Sequence, residues 1–255
     1  MANIFPKRDY ALEEIQRVRF ICETLESAKA SGIVFANSGG KDCVLTGILC
    51  KKACENTVSL VLPCGVARSY KEDKNDALMF AELFDIETRF IDLKETCDAF
   101  IKAAGSELTE LAVSNIASRL RMQTLYAIAQ SEERLVAGTG NRSEIYLGYF
   151  TKWGDGAYDF NPIADLTVTE VYEFLRYFDA PACIIEKPPS AGLYEGQTDE
   201  GDLGFAYAEL DRFLLVGEAT DENREKFMRL HNSTKHKRQY PHVYCKLKDD
   251  DYGKR

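Results

Sequence analysis

Five consecutive residues, Ser38-Gly39-Gly40-Lys41-Asp42, have the types and spacing of an anion-binding turn. They follow an apolar, β-branched run at 33–35, which predicts a short buried strand. After Asp42 the apolar residues recur at helical spacing, at Val44, Leu45, Ile48 and Leu49. A glycine-rich turn between a strand and a helix presents free backbone N–H groups, and the helix dipole adds positive potential. The stretch therefore predicts a phosphate-binding loop.

This loop is neither of the two commonest phosphate-binding sequences. A P-loop requires G-x-x-x-x-G-K-[ST] and a dinucleotide fingerprint requires G-x-G-x-x-G, and the chain contains neither string. A plainer interpretation is an ordinary strand–turn–helix, in which Asp42 is favourable simply because it lies near a helix N-terminus. Residues elsewhere in the chain have to decide between the two interpretations.

The elements that would position the loop alternate along the chain. Apolar runs predict strands at 33–35, 58–62, 88–93 and 134–137. Helical spacing predicts helices at 10–29, from 42 onward, and at 73–84, 110–130, 168–178 and 221–238. Thr167 and Glu170 have the spacing of a capping box at the start of one of them. Strands that alternate with helices predict a parallel sheet covered on both faces.

Ligands of such sheets bind beyond the carboxyl ends of the strands, and Ser38, Cys64 and Thr139 each lie at a predicted end of this kind. We expect an α/β fold with a doubly wound open parallel β-sheet and helices on both faces. No linker, repeat or low-complexity tract interrupts the sequence, so a single domain spanning 1–255 is expected. The segment 140–202 shows little regular pattern apart from helix 168–178, which is typical of functional or disordered loops.

Composition excludes several classes of function. A net charge of −9 argues against nonspecific nucleic-acid binding. No stretch approaches the roughly 20 apolar residues of a membrane span, and the first residues lack the apolar core of a signal peptide. The 8 cysteines form no C-x-x-C pair, which favours reduced thiols in a cytoplasmic protein over disulfides or a metal cage.

The loop resembles the S-G-G-x-D-S sequence of ATP pyrophosphatases, with Cys43 in place of the final serine. Further stretches follow it in order: NIASRLRM at 115–122, GTGNRSE at 138–144, GYFTKWGD at 148–155, NPI at 161–163, KPPSAGL at 187–193, QTDE at 197–200 and HKR at 236–238. Together they resemble the ammonia-dependent NAD synthetases, over roughly 32–241 of the chain. Seven motifs in one order are far more specific than any one of them.

The resemblance implies an adenine nucleotide α-hydrolase-like, Rossmann-like fold and a reaction in two steps. The nicotinate carboxylate of deamido-NAD attacks the α-phosphorus of ATP, which releases pyrophosphate and leaves an acyl-adenylate. Ammonia then attacks the acyl carbon, giving NAD and AMP. The resemblance also implies a homodimer, with the dinucleotide near the subunit interface.

Site residues are implied by the same motifs. ATP would contact Ala36, Asn37, Ser38, Gly39, Gly40, Lys41, Asp42, Cys43, Thr139 and Ser190. Deamido-NAD would contact Asn115, Arg119, Lys152, Asp159, His236 and Lys237. Mg²⁺ would lie between Asp42 and Glu144, since this hard cation commonly bridges phosphates and carboxylates. Asp155 and Lys152 would be catalytic, with Asp155 holding ammonium and assisting its deprotonation, and segments 140–159 and 187–202 would be lids.

Two departures from the family pattern and two alternatives stay open. Val168 stands where the family commonly has a lysine that neutralises ATP phosphates, for which Lys41, Lys187 or Arg142 could substitute. Cys43 is a weaker hydrogen-bond donor than serine. A tRNA-thiolating ATP pyrophosphatase is one alternative, although its paired cysteines and basic surface are missing from this sequence. The other is a nonenzymatic nucleotide-binding regulator that has lost activity. Internal use of glutamine is not expected, because residue 2 is alanine rather than a cysteine nucleophile.

Overall fold

Four parallel strands form the sheet in a computed structural model that describes residues 7–64, 70–105, 107–186 and 198–244. They are β1 (Gly32–Ala36), β2 (Thr57–Val61), β3 (Glu87–Phe90) and β4 (Arg134–Val136). Their order across the sheet is β3-β2-β1-β4. Because β1 pairs with β2 on one side and with β4 on the other, the strand order reverses at β1. A ligand is expected at the carboxyl ends of the two strands that flank this reversal, β1 and β4.

Helices connect the strands and cover the sheet. They are α1 (Tyr10–Ala28), α2 (Lys41–Ala53), α3 (Tyr70–Leu83), α4 (Lys94–Ala104), α5 (Glu110–Ser131), α6 (Arg142–Leu147), α7 (Val168–Tyr177), α8 (Ala182–Ile185), α9 (Asp199–Leu203), α10 (Tyr207–Val216) and α11 (Asp221–Ser233), followed by a 3-10 helix (Lys235–Lys237). The crossover from β1 to β2 contains α2, that from β2 to β3 contains α3, and that from β3 to β4 contains α4 and α5.

Strand β1 is buried on both faces, as is typical of a central strand in a parallel sheet. Ile33 and Phe35 belong to one apolar core together with side chains from α1, α2, α3 and α7. Val34 belongs to a second core together with side chains from α4 and α5. Successive residues of a strand point to opposite faces, so both faces of the sheet are covered by helices. The predicted doubly wound α/β fold is confirmed.

A third apolar cluster anchors the C-terminal part of the chain. It joins α6, α7, α10 and α11, and its buried members include Leu147, Val168, Leu210 and Phe227. Helix α7 also contributes Phe174 to the first core. This one helix therefore fixes the C-terminal helices against the sheet.

Several predicted boundaries are wrong. The helix predicted over 221–238 ends at Ser233, because Lys237 donates to backbone carbonyls of the 148–150 turn and redirects the chain. The third strand ends at Phe90 rather than at residue 93, and segment 140–202 also contains α6, α8 and α9. Helices α4 and α10 were not predicted. The Thr167 capping box is confirmed, since the Glu170 N–H donates to Thr167 Oγ1 and the Thr167 N–H donates to Glu170 Oε2.

Within the described residues, no helix is long and apolar enough to cross a membrane. Each cysteine in those same ranges is a free thiol.

Candidate active site

The loop between β1 and α2 has the backbone shape that the sequence predicts. The N–H of Gly39 donates to Asn37 Oδ1 at 3.0 Å, and the φ of Gly39 is +73°, a conformation that favours glycine. Gly40 is the N-cap of α2 and has no side chain to cap it. The N–H groups of the first helical turn are therefore available to an anion, and the dipole of this 13-residue helix reinforces them.

The loop that follows β4 meets the loop that follows β1 at Cys43. The Cys43 thiol lies 3.3 Å from Ser38 Oγ and also hydrogen-bonds with the side chain of Thr139. Nearby, Thr46 Oγ1 donates to the carbonyl of Gly138 at 3.5 Å. Burial raises the pKa of the Cys43 thiol more than these hydroxyl groups lower it. Cys43 is therefore a neutral hydrogen-bonding residue rather than a nucleophile.

Asp42 and Glu144 come from different helices, and one buried residue, Asn141, binds both carboxylates. Asn141 is the N-cap of α6 and is fully buried. Its Nδ2 donates to Asp42 Oδ1 at 3.1 Å, and its N–H donates to Glu144 Oε2 at 3.0 Å. Its Oδ1 accepts from the Glu144 N–H at 3.0 Å. The structure thus brings the two predicted metal ligands to one place beside the phosphate loop.

A lysine of the loop places a positive charge beside this acidic pair. Lys41 Nζ donates to Asp42 Oδ2 at 2.7 Å, although Lys41 is only 7% exposed. Burial by itself lowers the pKa of Lys41, but the carboxylates of Asp42 and Glu144 raise it above its usual value, so the ammonium stays charged. Burial, followed by the charge of Asp42, raises the pKa of Glu144 to about 8.

These donors fit Mg²⁺. Both carboxylates are hard oxygen ligands beside a phosphate loop, and the repulsion that raises the pKa of Glu144 is relieved when a cation binds. No three His, Cys, Asp or Glu side chains of the described ranges converge into a metal cage. Two carboxylates without a full cage suit a metal that completes its coordination shell with phosphate oxygens and water.

Helix α5 fixes the loop at 148–156, which carries the predicted catalytic residues. Asn115 Oδ1 accepts from Thr151 Oγ1 at 2.7 Å. Ser118 Oγ donates to Asp155 Oδ1 at 2.6 Å and accepts from the Asp155 N–H at 3.0 Å. The N–H of Thr151 also donates to Asp155 Oδ1, at 3.1 Å. The carboxylate of Asp155 is therefore oriented by both the helix and its own loop.

The C-terminal 3-10 helix docks on the same loop through two lysines. Lys237 Nζ donates to the carbonyls of Gly148 and Phe150 at 2.8 and 2.7 Å. In the opposite direction, Lys152 Nζ donates to the carbonyl of His236 at 2.6 Å. Burial lowers the pKa of Lys237. Three of the predicted dinucleotide-binding residues are thus brought together where the loop and the tail meet.

Two other predicted dinucleotide ligands are placed differently from each other. Arg119 is exposed and its Nε donates to the carbonyl of Lys152 at 3.3 Å, which keeps it beside the loop. Asp159 instead accepts from the backbone N–H of Val136 at 2.8 Å and from the Tyr126 hydroxyl at 3.2 Å. The carboxylate of Asp159 is therefore bound to the edge strand β4.

Lys41, Lys187 and Arg142 are the candidates to replace the lysine that the family has at position 168, and two of them lie within the described residues. Lys187 lies outside the described residues, as does Ser190, the predicted ATP ligand. Arg142 Nη2 donates to the carbonyl of Leu214 at 3.0 Å. Lys41 is the substitute whose ammonium contacts the acidic pair.

The model of the NAD synthase family matches residues 14–246. The chain belongs to the NAD synthase family. A curated relative, the NH(3)-dependent NAD(+) synthetase of Carboxydothermus hydrogenoformans, is 44% identical over 231 residues, which cover 89% of this chain and 94% of that protein.

Two solved structures are similar to this NAD synthase family member over nearly their full lengths. The NMN synthetase of Francisella tularensis has a TM-score of 0.89 and 35% identity, covering 93% of this chain and 99% of that one. The NH3-dependent NAD synthetase of Campylobacter jejuni has a TM-score of 0.78 and 28% identity, covering 93% and 100%. The adenine nucleotide α-hydrolase-like fold implied by the motifs is confirmed.

Two residues that shape this site were not predicted from the sequence. Asn141 precedes Glu144 by three positions, the spacing of a capping box, and this signal could have identified it. Asp211 carried no signal. It is fully buried and accepts from Ser143 Oγ at 2.5 Å and from the N–H and Oγ1 of Thr169, both at 2.7 Å. It therefore ties α6, which carries Glu144, to α7 and α10.

Proposed function

We propose that this chain is an ammonia-dependent NAD synthetase, which amidates deamido-NAD, and we propose a role for each residue of its site. The enzyme is a ligase that forms a carbon–nitrogen bond and uses ATP as a substrate. One observation carries the proposal: the phosphate loop, Asp42 and Glu144 meet at the carboxyl ends of β1 and β4. The comparisons do not favour a thiolating ATP pyrophosphatase.

The loop binds the phosphates of ATP. Its backbone N–H groups and the N-terminus of α2 stabilise the charge that accumulates on pyrophosphate as it leaves. Thr139 contacts the nucleotide from the β4 side, where its hydroxyl already faces Cys43, and Ser190 is assigned to ATP by the family motif alone. Since phosphoryl-type transfer depends mainly on positioning and electrostatics, no protein nucleophile is required.

Asp42 and Glu144 would hold Mg²⁺, and Asn141 fixes the orientation of both carboxylates. When bound, the metal supplies positive charge that polarises the phosphates. Asp42 and Glu144 act only as ligands in this proposal. The attacking group is the nicotinate carboxylate, which forms the acyl-adenylate at the α-phosphorus.

Asp155 would hold ammonium and take a proton from it, and the resulting ammonia would then attack the adenylate. Ser118 and the N–H of Thr151 bind one carboxylate oxygen of Asp155 and thereby fix its direction. Lys152 lies on the same loop and would help to neutralise the adenylate. The docked tail would exclude water from this intermediate, which otherwise hydrolyses.

The dinucleotide would bind along the junction of the loop and the tail. Arg119 can grip a phosphate with its planar fork, and His236 and Lys237 would close over it from the tail. Asn115 would act from the same face of α5 as Arg119. Asp159 stays a proposed ligand, supported by the family motif.

We further propose a cytoplasmic homodimer. Free thiols in the described ranges support a reducing compartment, and the family motifs imply a dinucleotide site near a subunit interface. Sedimentation should give twice the monomer mass, and a fully active monomer at the same concentration would contradict this assembly.

The mononucleotide acid, nicotinate mononucleotide, is a second candidate substrate. The solved structure with a TM-score of 0.89 is an NMN synthetase, against 0.78 for an NH3-dependent NAD synthetase. The curated relative at 44% identity is an NAD synthetase. Because both acids offer the same nicotinate carboxylate, the phosphate loop and the acidic pair serve either reaction.

One experiment tests both candidates. The purified chain is incubated with ATP, MgCl₂ and ammonium chloride, together with either deamido-NAD or nicotinate mononucleotide. Equal amounts of AMP, pyrophosphate and amide product are expected, and ADP with phosphate would overturn the proposal. The acid with the higher kcat/KM is the substrate. Binding of ATP without any AMP would instead support a regulator.

A further inference from the structure

The ammonium of Lys41 is held where a free charge is costly. Lys41 is 7% exposed and its Nζ lies 2.7 Å from Asp42 Oδ2. The Tyr172 ring of α7 is also close, with its centroid 5.9 Å from Nζ. A buried cation persists only when it is paired and hydrogen-bonded, so the acidic pair is what keeps this ammonium in place.

Each oxygen of Asp42 already accepts a hydrogen bond. Its Oδ1 accepts from Asn141 Nδ2 at 3.1 Å, and its Oδ2 accepts from Lys41. A divalent cation that coordinates Asp42 therefore joins a carboxylate that already binds the ammonium of Lys41. Two cations around one carboxylate repel each other, which favours displacement.

A displaced ammonium has an evident destination. Lys41 is the first residue of α2 and directly follows Gly40, so its flexible four-carbon stem starts within the phosphate loop. From there Nζ can turn from the carboxylates to a phosphate oxygen that binds at the loop.

The position across the site at Val168 supplies no charge. Val168 is 4% exposed and packs with apolar side chains that include Leu147, Phe205 and Tyr207. Tyr172, one helical turn further along α7, lies beside Lys41 instead. The positive charge at this end of α7 therefore comes from Lys41 of α2.

We propose that Lys41 is an exchangeable counter-ion: it pairs with Asp42, beside Glu144, while the metal is absent, and moves to the phosphates of ATP when Mg²⁺ takes the two carboxylates. This deepens the proposed function and depends on it for the ATP half. Lys41 would then contribute both to the stability of the metal-free protein and to the affinity for ATP.

Lys41→Met tests the exchange, with Lys52→Met as the matched control on the same helix. Lys52 pairs with Glu14 and is remote from the acidic pair. The first measurement is Mn²⁺ binding to nucleotide-free protein, followed by electron paramagnetic resonance of the free ion. Lys41→Met should bind Mn²⁺ about tenfold more tightly than the unmodified chain, because its competitor has been removed. Lys52→Met should bind Mn²⁺ as the unmodified chain does.

The second measurement is thermal unfolding in EDTA and with saturating Mn²⁺. Lys41→Met should unfold at a lower temperature in EDTA and recover with Mn²⁺, since the metal then neutralises the carboxylates. If Lys41→Met does not fold without metal, Lys41→Gln is measured in the same way. Unchanged Mn²⁺ affinity in the variant that folds would overturn the proposal, because the lysine would then be a fixed structural partner.

The third measurement separates this proposal from the proposed function. The KM for ATP should rise about tenfold or more in Lys41→Met, and an unchanged KM would overturn the phosphate half of the exchange. Neither of the first two readouts requires turnover. If the unmodified chain forms no AMP with either nicotinate acid, the proposed function fails, while the Mn²⁺ data still decide whether Lys41 competes with metal.

Discussion

Replacing Asn141 by alanine should damage the acidic pair far more than an ordinary helix cap does. The substitution removes an N-cap, worth about 1 kcal/mol, and a hydrogen bond to the charged Asp42, worth about 1.5–3 kcal/mol. Both groups are buried or half-buried, so water does not replace the lost bond freely. The free energy of unfolding should therefore fall by about 2.5–4 kcal/mol.

Thr167→Ala is the matched control for this substitution. Thr167 is also fully buried and begins α7 with the same capping box, but its side chain binds Glu170 rather than the acidic pair. Its loss should lower stability by about 1 kcal/mol. Urea unfolding measures both changes, and Mg²⁺ titration of AMP formation measures the site. Asn141→Ala should raise the Mg²⁺ concentration for half-maximal activity about tenfold or more, whereas Thr167→Ala should not.

Asn141→Asp sharpens the test, because aspartate retains the cap and reverses the contact with Asp42. Aspartate is as good an N-cap as asparagine. Two carboxylates about 4 Å apart repel by about 4 kcal/mol at an effective dielectric constant of 20. Stability in EDTA should thus fall further than for Asn141→Ala and recover with Mg²⁺. If both Asn141 variants matched Thr167→Ala in stability and in Mg²⁺ dependence, the bridge between the carboxylates would have no functional role.

Three other predictions follow from the same site. Asp42→Asn and Glu144→Gln should each lower the rate of AMP formation by about 10²-fold, as loss of charge stabilisation often does; a near-normal rate would remove that residue from the site. Val168→Lys should lower the melting temperature, because it buries a charge among apolar side chains, and tighter ATP binding at unchanged stability would contradict this. Ser118→Ala should lower kcat about tenfold with an unchanged KM for ATP, since it frees Asp155. Steady-state kinetics with varied ATP at saturating ammonium measure both, and a change in the KM for ATP alone would contradict this.

Local patterns were sufficient for the sheet and for the phosphate loop. The run at 33–35, the glycine pair and the helical spacing after Asp42 each act over fewer than ten residues, and the structure contains β1, the turn and α2 there. The capping box at Thr167 is equally local. Such features are predictable because neighbouring residues alone determine them.

The contacts that complete the site depend on residues far apart in the sequence. Asn141 follows β4 and reaches Asp42, which follows the neighbouring strand β1, and Asp211 holds Ser143 from a helix that was not predicted. Just beyond the end of α11 at Ser233, Lys237 binds the distant 148–150 turn. Periodicity cannot show such contacts, since they arise only when the elements pack together.

The position of β4 makes completion of the site a late event in folding. β4 pairs with β1 across about a hundred residues of chain, with Gly32 opposite Arg134, whereas β2 follows β1 after a single helix. During synthesis the phosphate loop emerges well before Thr139 and Glu144, and pairings between distant segments form slowly. If ATP binds as proposed, it gains its full set of contacts only from the finished sheet, and by mass action it would stabilise that state over forms in which β4 has detached. The nucleotide supply of the cell would then influence how much of this chain stays folded, in addition to how fast it turns over.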